Sequence, residues 1–196
     1  MTNSLDDVVT GALGVLDTHG LEFCSMRRVA SALGVQPSAL YHHVPNKQTL
    51  LALMADRIVA DVHAPAEGSR GERALAICHG LRDAMLSIRD GADVVATASA
   101  FRLGASRIES DLAEVLDDRD GARTLLLFVF GHTQATQDHR LASSVGVVEP
   151  DPDLDASFDR GLSLILDGIR LQRAGASEID SSMVRQARLG SSQIPL

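Results

Sequence analysis

The stretch "SMRRVASALGVQPSALYHHVPNK", residues 25–47, decides the fold. Ser25 is a good N-cap, and Met26, Val29, Ala30 and Leu33 then recur at helical spacing, so they share an inward face. Gly34 stops that helix. Pro37 suits the first turn of the next, and Pro45 closes it after about two turns. Two short helices joined by a tight glycine-containing turn make a helix-turn-helix. The motif needs a small inner residue near the turn (Ala30), an apolar residue just after it (Val35) and anchors for the second helix (Leu40, Val44), and all are present. Its second helix enters the major groove of DNA. The only tyrosine and two of the seven histidines, Tyr41, His42 and His43, stand together at its end.

Outward from this stretch the chain reads as helix throughout. Leu5, Val8, Val9, Ala12, Leu13, Val15 and Leu16 mark an amphipathic helix with Ser4 as cap, Asp6 and Asp7 in the first turn and Gly20 at its end. "NKQTLLALMADRIVADV" (46–62) is a longer helix capped by Asn46. "HAPAEGSRGE" (63–72) has no periodicity and reads as a linker. Beyond it, helices are expected near 72–89, 93–102, 107–118 and 122–141. A polar loop "SSVGVVEPDPDLD" (143–155) follows, then a strong helix "ASFDRGLSLILDGIRLQRAG" (156–175). The tail from Ile179 has weak helical pattern, and its end, "GSSQIPL", is expected to be disordered. The expected fold class is all-α: a three-helix helix-turn-helix head with a connecting fourth helix at residues 1–63, and a helical body at 64–196.

Composition agrees. Apolar residues make up 45 % and aromatics only 3 %, so a sizeable core must be built from Ala, Leu, Val and Ile. The net charge of −8 argues against a protein that coats nucleic acid non-specifically. Residues 1–50 hold three cations (Arg27, Arg28, Lys47) and four acids (Asp6, Asp7, Asp17, Glu22), but all three cations fall inside the motif. Few phosphate contacts per head are expected, with a modest salt dependence. Cys24 and Cys78 have no metal-ligand spacing and read as free thiols. The N-terminus lacks the bases of a signal peptide and no apolar run approaches a membrane span, so a cytoplasmic protein is expected.

The segment "SMRRVASALGVQPSALYHHVPNKQTLLALMADRI" (25–58) resembles the DNA-binding head of the tetracycline-repressor (TetR) family of bacterial transcription regulators. The resemblance rests on Ser25, Arg27, Leu33–Gly34–Val35, Leu40–Tyr41–His42–His43 and Asn46–Lys47. It extends more weakly through "RDGADVV" (89–95), "GHTQATQDH" (131–139) and "FDRGLSLILDGIRLQ" (158–172), which are similar to pieces of the tetracycline-repressor branch. It implies a homodimer that binds a pseudo-palindromic double-stranded operator and is released by a small-molecule effector. By the same resemblance Ser25 and Lys47 contact phosphate, Tyr41 stacks on the backbone and bonds a phosphate, and Arg27 reaches a base or backbone, with Arg28 beside it. Gln36, Pro37, Ser38, Ala39 and His42 lie at the groove-facing turn, with His43 at its end. For Tyr41 a half-buried packing ring, and for His43 a core-edge position, remain the alternatives.

In the body, Gly161, Leu162, Ile165, Gly168, Ile169 and Gln172 repeat at 3-4 spacing and are candidates for a dimer interface, or else for an ordinary core helix. Candidate effector contacts are His63, His79, Met85, Phe101, Phe128, His132, Gln134 and Thr136, with Thr133 as a further option. Phe128, His132 and Thr136 share one helix face. The resemblance also marks departures. Val95 stands where the tetracycline repressor has a metal-binding histidine and Ile77 where it has a polar drug contact, while His63 matches a drug-contacting histidine. A different, largely apolar effector is expected, with no metal and no cofactor.

An enzyme is the rival reading, through His132, Asp138 and His139, but no phosphate loop, nucleophile elbow or His-Glu-x-x-His pair is present. "DPDLDASFDRGL" starts like a calcium loop and then has Ala156 and Leu162 where Gly and Glu are required. A constitutive DNA-binding protein without effector would call for a more basic surface and no large apolar body.

Overall fold

The computed structural model describes residues 4–190, and its secondary structure is helical. Nine helices follow in order among these residues: α1 (Leu5–His19), α2 (Met26–Ala32), α3 (Pro37–Tyr41), α4 (Lys47–Ile58), α5 (Arg70–Leu86), α6 (Gly91–Ala100), α7 (Ser106–Leu116), α8 (Arg119–Ser144) and α9 (Leu154–Gly190).

The expected caps form. Ser4 accepts the Asp7 amide at 3.2 Å while the Asp7 carboxylate accepts the Ser4 amide at 2.8 Å, a reciprocal capping box at the start of α1. Ser69 and Glu72 repeat it on α5. Asn46 Oδ1 accepts the Thr49 amide at 2.8 Å to start α4. Gly34, at φ +67, supplies the left-handed turn between α2 and α3.

Four differences from the sequence reading have physical causes. The helix expected to run to 62 ends at Ile58, because Arg107 Nη2 donates to the carbonyls of Val59 and Ala60 at 3.1 and 3.3 Å and closes the turn there. The helix expected from 72 begins at Arg70, since Ser69 is the better cap. The helix expected over 122–141 runs from Arg119 to Ser144, started by Asp118 Oδ1, which accepts the Gly121 amide at 2.9 Å. The last helix continues through the weakly patterned tail to Gly190, and the expected disorder of the final residues lies outside the described ones from 191 onward.

α2 packs against α1 and α3 against α2, and α1 lies on α4. α4 in turn packs along α6, its most extensive partnership, so the helix after the recognition motif rests on the body. α5 runs between α6, α7 and α8, and α9 covers α8. One continuous apolar core results, from Val8 and Leu16 through Met54, Leu81 and Leu112 to Phe158 and Leu162. Gly104 lets the α6–α7 loop approach α4 closely: a Cβ there would sit 2.7 Å from the Ala52 carbonyl oxygen. Asp56 fastens the same contact by accepting the Ala105 amide at 2.7 Å. Cys24 and Cys78 are unpaired and buried, and burial pushes the Cys78 thiol up to about 12. Among the described residues no helix is long and apolar enough to cross a membrane.

Candidate nucleic-acid interface and effector site

The interface candidates are carried by α2, α3 and the start of α4. Leu40 and Val44 are buried and hold α3 to the head's core. On α3 and just after it Ser38, Ala39, Tyr41, His42 and His43 are exposed, with Gln36 exposed before them and Pro37 half-buried. Tyr41 is 53 % exposed, so it is not a packing ring in this subunit, and His43 is likewise at the surface. Ser25, Arg27, Pro37, Tyr41 and Lys47 line one open concavity beside α3. Ser25 caps α2 by accepting the Arg28 amide at 3.3 Å, which leaves its hydroxyl hydrogen free to donate outward. The Arg28 guanidinium lies 5.4 Å from the centre of the Phe23 ring, which turns it toward the edge of this surface. The surface offers hydroxyl, guanidinium and ammonium donors around a short exposed helix, the donor set that phosphate and base edges require.

In the body the structure brings some effector candidates together and separates others. His79, Phe128 and His132 gather around Phe158, with ring centres 5.2–5.7 Å apart. His132 Nε2 shares a hydrogen bond with Ser157 Oγ at 2.8 Å, and Nδ1 faces Thr136 Oγ1 at 3.2 Å. Desolvation, helped by the nearby Arg82 charge, holds the His132 pKa below its ordinary value. Thr133 Oγ1 is buried with no hydrogen-bond partner among the described residues. Met85 is fully buried in the core.

Three candidates stand apart from this cluster. Gln134, two residues from His132, turns to the other side of α8 and donates to Asp93 at 2.7 Å. Phe101, at the C-cap of α6, is 62 % exposed because the chain reverses at left-handed Arg102. His63 is exposed and meets Arg107 Nη1 at 3.0 Å. Val95 and Ile77, the two departures from the tetracycline-repressor pattern, lie in the apolar core.

The sequence reading missed Phe158, Arg82 and Asp155. Phe158 is in phase with Leu162, Ile165 and Ile169 on α9, a signal that was available. Arg82 is only 7 % exposed; it donates to Asp155 Oδ1 at 2.5 Å and lies 4.7 Å from the Phe158 ring centre. Nothing local in the sequence marks that pairing across 73 residues.

The interface candidates on α9 divide as well. Leu162 and Ile169 turn into the subunit's own core, Ile165 and Gly161 are half-buried, and only Gly168 and Gln172 are exposed. The outward apolar stripe is instead Leu164, Gly168, Leu171 and Gly175, with Leu127 exposed on the adjacent α8. His132 and His139, the rival catalytic pair, do not meet: His139 Nε2 faces the Glu149 carbonyl at 3.1 Å. Among the described residues no group of three or more His, Cys, Asp or Glu is placed to hold a metal ion.

Comparison with known proteins agrees with this architecture. The model of the family "Bacterial regulatory proteins, tetR family" matches residues 8–54. The structure of BioQ from Mycobacterium smegmatis superposes with a TM-score of 0.80 at 34 % identity, covering 85 % of this chain and 97 % of that one. The chain belongs to the TetR family. It is 28 % identical over 197 residues to tetracycline repressor protein class A of Escherichia coli, spanning 85 % of this chain and 90 % of that repressor. A match at 40 % identity to the class E repressor of Escherichia coli spans 97 residues, 44 % of that protein. BioQ has also been solved with its double-stranded DNA operator, with a TM-score of 0.73, 32 % identity and coverage of 85 % and 98 %. The TetR-family protein ActR of Streptomyces coelicolor, in complex with (S)-DNPA, superposes at 0.69 with 25 % identity and coverage of 88 % and 99 %. Membership of the TetR family makes the chain a DNA-binding transcription regulator and sets aside the enzyme reading.

Proposed function

We propose that this TetR-family regulator is a homodimeric repressor that holds a pseudo-palindromic operator through one α3 per half-site and releases it when a small, largely apolar effector enters the body. The observation that carries the DNA half is the exposed concavity where Ser25, Arg27, Pro37, Tyr41 and Lys47 converge beside a helix anchored only by Leu40 and Val44. Ser25, Tyr41 and Lys47 bind phosphate; Arg27 and Arg28 reach base or backbone; Gln36, Pro37, Ser38, Ala39, His42 and His43 face the groove. With three cations in residues 1–50 of each head, Lys47 and Tyr41 carry a large share of the affinity and the salt dependence is modest.

Residues 1–63 are the DNA-binding unit, with α4 as connector, and residues 64–196 the effector and dimerisation unit. The effector lies near His79, Phe128, His132 and Thr136. The burial of Val95 and Ile77 in apolar core supports a less polar ligand than a metal-chelated drug. BioQ with its operator and ActR with a bound small molecule support both halves of the reading. The pairing of subunits uses the outward faces of α8 and α9, and the protein works in the cytoplasm. Because α4 rests along α6, an effector that shifts α6 changes the spacing of the two heads, and DNA is released if the two spacings differ in affinity.

The test is footprinting on the DNA upstream of the protein's own gene, followed by a screen for small molecules that release it. Protection of a two-fold-symmetric site with its halves about one helical turn apart is expected. No protected palindrome contradicts the DNA half, and protection that no compound relieves contradicts the effector half.

A further inference from the structure

The Arg82–Asp155 pair is lopsided. Its cation is buried, 7 % exposed, and lies over the Phe158 ring at 4.7 Å. Its anion is on the surface: the Asp155 side chain is 67 % exposed and sits in the first turn of α9, where the 145–153 loop ends. Asp155 takes only half of the fork that Arg82 presents. Its Oδ1 accepts Nη2 at 2.5 Å, while Nε has no hydrogen-bond partner among the described residues. Nε and Nη2 are the two parallel donors that a carboxylate normally engages together, and an unpaired buried guanidinium N–H is costly. The same Oδ1 also accepts Arg140 Nη2 at 3.0 Å, so two guanidinium groups converge on a single oxygen. These bonds, Arg82's first, hold the Asp155 carboxyl below the usual carboxylate range.

Two further features adjoin the pair. A cleft of ≈ 340 Å³, lined by Arg140, Pro150, Pro152, Leu154 and Asp155 among others, opens from solvent onto Asp155. Behind the pair, Phe158 stacks on Phe128 at 5.7 Å, an apolar wall next to the cation.

We propose that Asp155 is a built-in stand-in for the effector's own acid group, and that the effector is an apolar monocarboxylate. Its carboxylate displaces Asp155 and engages both Nε and Nη2 of Arg82 together with Arg140, and its body lies in the cleft against Pro150, Pro152 and Leu154. The exchange suits the geometry: a mobile free carboxylate satisfies both donors of the fork, whereas Asp155, fixed to α9, satisfies one. Loss of Asp155 from the ion pair frees the start of α9, which links occupancy of the site to the helix that covers α8. This inference rests on the effector half of the proposed function and names the ligand's chemistry.

The test is calorimetric titration of the full-length protein, without DNA, with octanoate, phenylbutyrate and naphthoate, each against its matched amide. The wild type is expected to bind at least one acid more tightly than its amide. Asp155→Asn, which removes the competing charge, is expected to raise affinity for that acid about tenfold and to leave the amide's affinity nearly unchanged. The same variant leaves the buried Arg82 charge without an anion beside it at Asp155, so its melting temperature should rise more with the acid than the wild type's does, and should not respond to the amide. Arg82→Met keeps the volume without the charge; it should fold and lose the preference for acid over amide. Equal binding of acids and amides by the wild type, or an acid preference that survives Arg82→Met, overturns the inference, as does failure of all three acids to bind. A footprint repeated with the bound acid separates the two readings: an acid that binds without releasing DNA leaves the carboxylate site standing and contradicts the effector-release reading instead.

Discussion

The backbone amide of Leu21 donates to the carboxylate of Asp90 at 2.6 Å, joining residues 69 apart in sequence. Leu21 follows the end of α1 and Asp90 precedes α6, so this bond seats the head's first helix on the start of a body helix. The seat is tight: Gly20 has φ +83, and a Cβ there would lie 2.9 Å from Asp90 Oδ2. Beside it the Arg89 amide donates to Asp17 at 3.3 Å. Head and body are therefore tied here, and also where Asp56 of α4 holds the Ala105 amide and where Arg107 of α7 donates to the Val59 and Ala60 carbonyls. Movement of α6 reaches the head through the Asp90 contact.

Asp90 itself has φ +54, a left-handed conformation that Asn adopts at lower cost than Ala. Asp90→Ala should lose about 2 kcal/mol of stability, from the lost charge-assisted bond and the strained backbone. Asp90→Asn keeps an acceptor oxygen and the tolerated backbone and should lose less than about 1 kcal/mol. Urea unfolding of the two variants checks this; equal losses contradict it.

Gly161 of α9 faces the Phe128 ring, and a Cβ at this position would collide with it. Gly161→Ala must push Phe128 off its stack with Phe158 and should cost about 1–3 kcal/mol, despite the better helix propensity of Ala. Gly14→Ala on exposed α1, where nothing lies within 4 Å of the new Cβ, should instead stabilise by roughly 0.5–1 kcal/mol. Thermal unfolding of both variants gives opposite signs if the contact is as described.

Two leucines two residues apart on α9 should fail in different ways. Leu164 is 74 % exposed on the outward stripe, whereas Leu162 is fully buried. Leu164→Glu should leave a folded helical subunit that sediments as a monomer, and Leu162→Ala should cost about 2–5 kcal/mol of subunit stability. A dimer that survives Leu164→Glu places the subunit contact elsewhere.

His132 sets a pH dependence. Desolvation lowers its folded pKa below the ordinary 6.5, so the unfolded chain binds the proton more readily. Its contribution to stability is complete above 6.5 and falls as pH drops from there through the folded pKa. His132→Gln should flatten the slope of unfolding free energy against pH just below 6.5, measured by denaturant titration at several pH values. An unchanged slope assigns the dependence to other groups.

What was legible in the sequence was local. Ser4, Ser25 and Asn46 cap helices, and Gly20 and Gly34 end them, because caps and turns are fixed by residues three or four apart. The recognition motif was readable for the same reason. The contacts that organise the body were not: Arg82 with Asp155 and Leu21 with Asp90 pair residues about seventy positions apart, which no periodicity encodes. The α9 stripe was read about one residue out of phase. Leu162, Gly168 and Ile169 all fit a 3-4 pattern, and only packing against α8 decides which side turns inward. Gln134 is separated from His132 because two residues along a helix point nearly opposite ways.

The central claim is that the exposed surface of α3 binds DNA while the rest of the molecule holds the dimer. The most direct measurement is operator footprinting of Tyr41→Ala beside the wild type, with sedimentation of both. The wild type should protect a two-fold-symmetric site, and Tyr41→Ala should lose that protection while sedimenting as the same dimer. Undiminished protection by Tyr41→Ala, or loss of the dimer together with the footprint, contradicts the account.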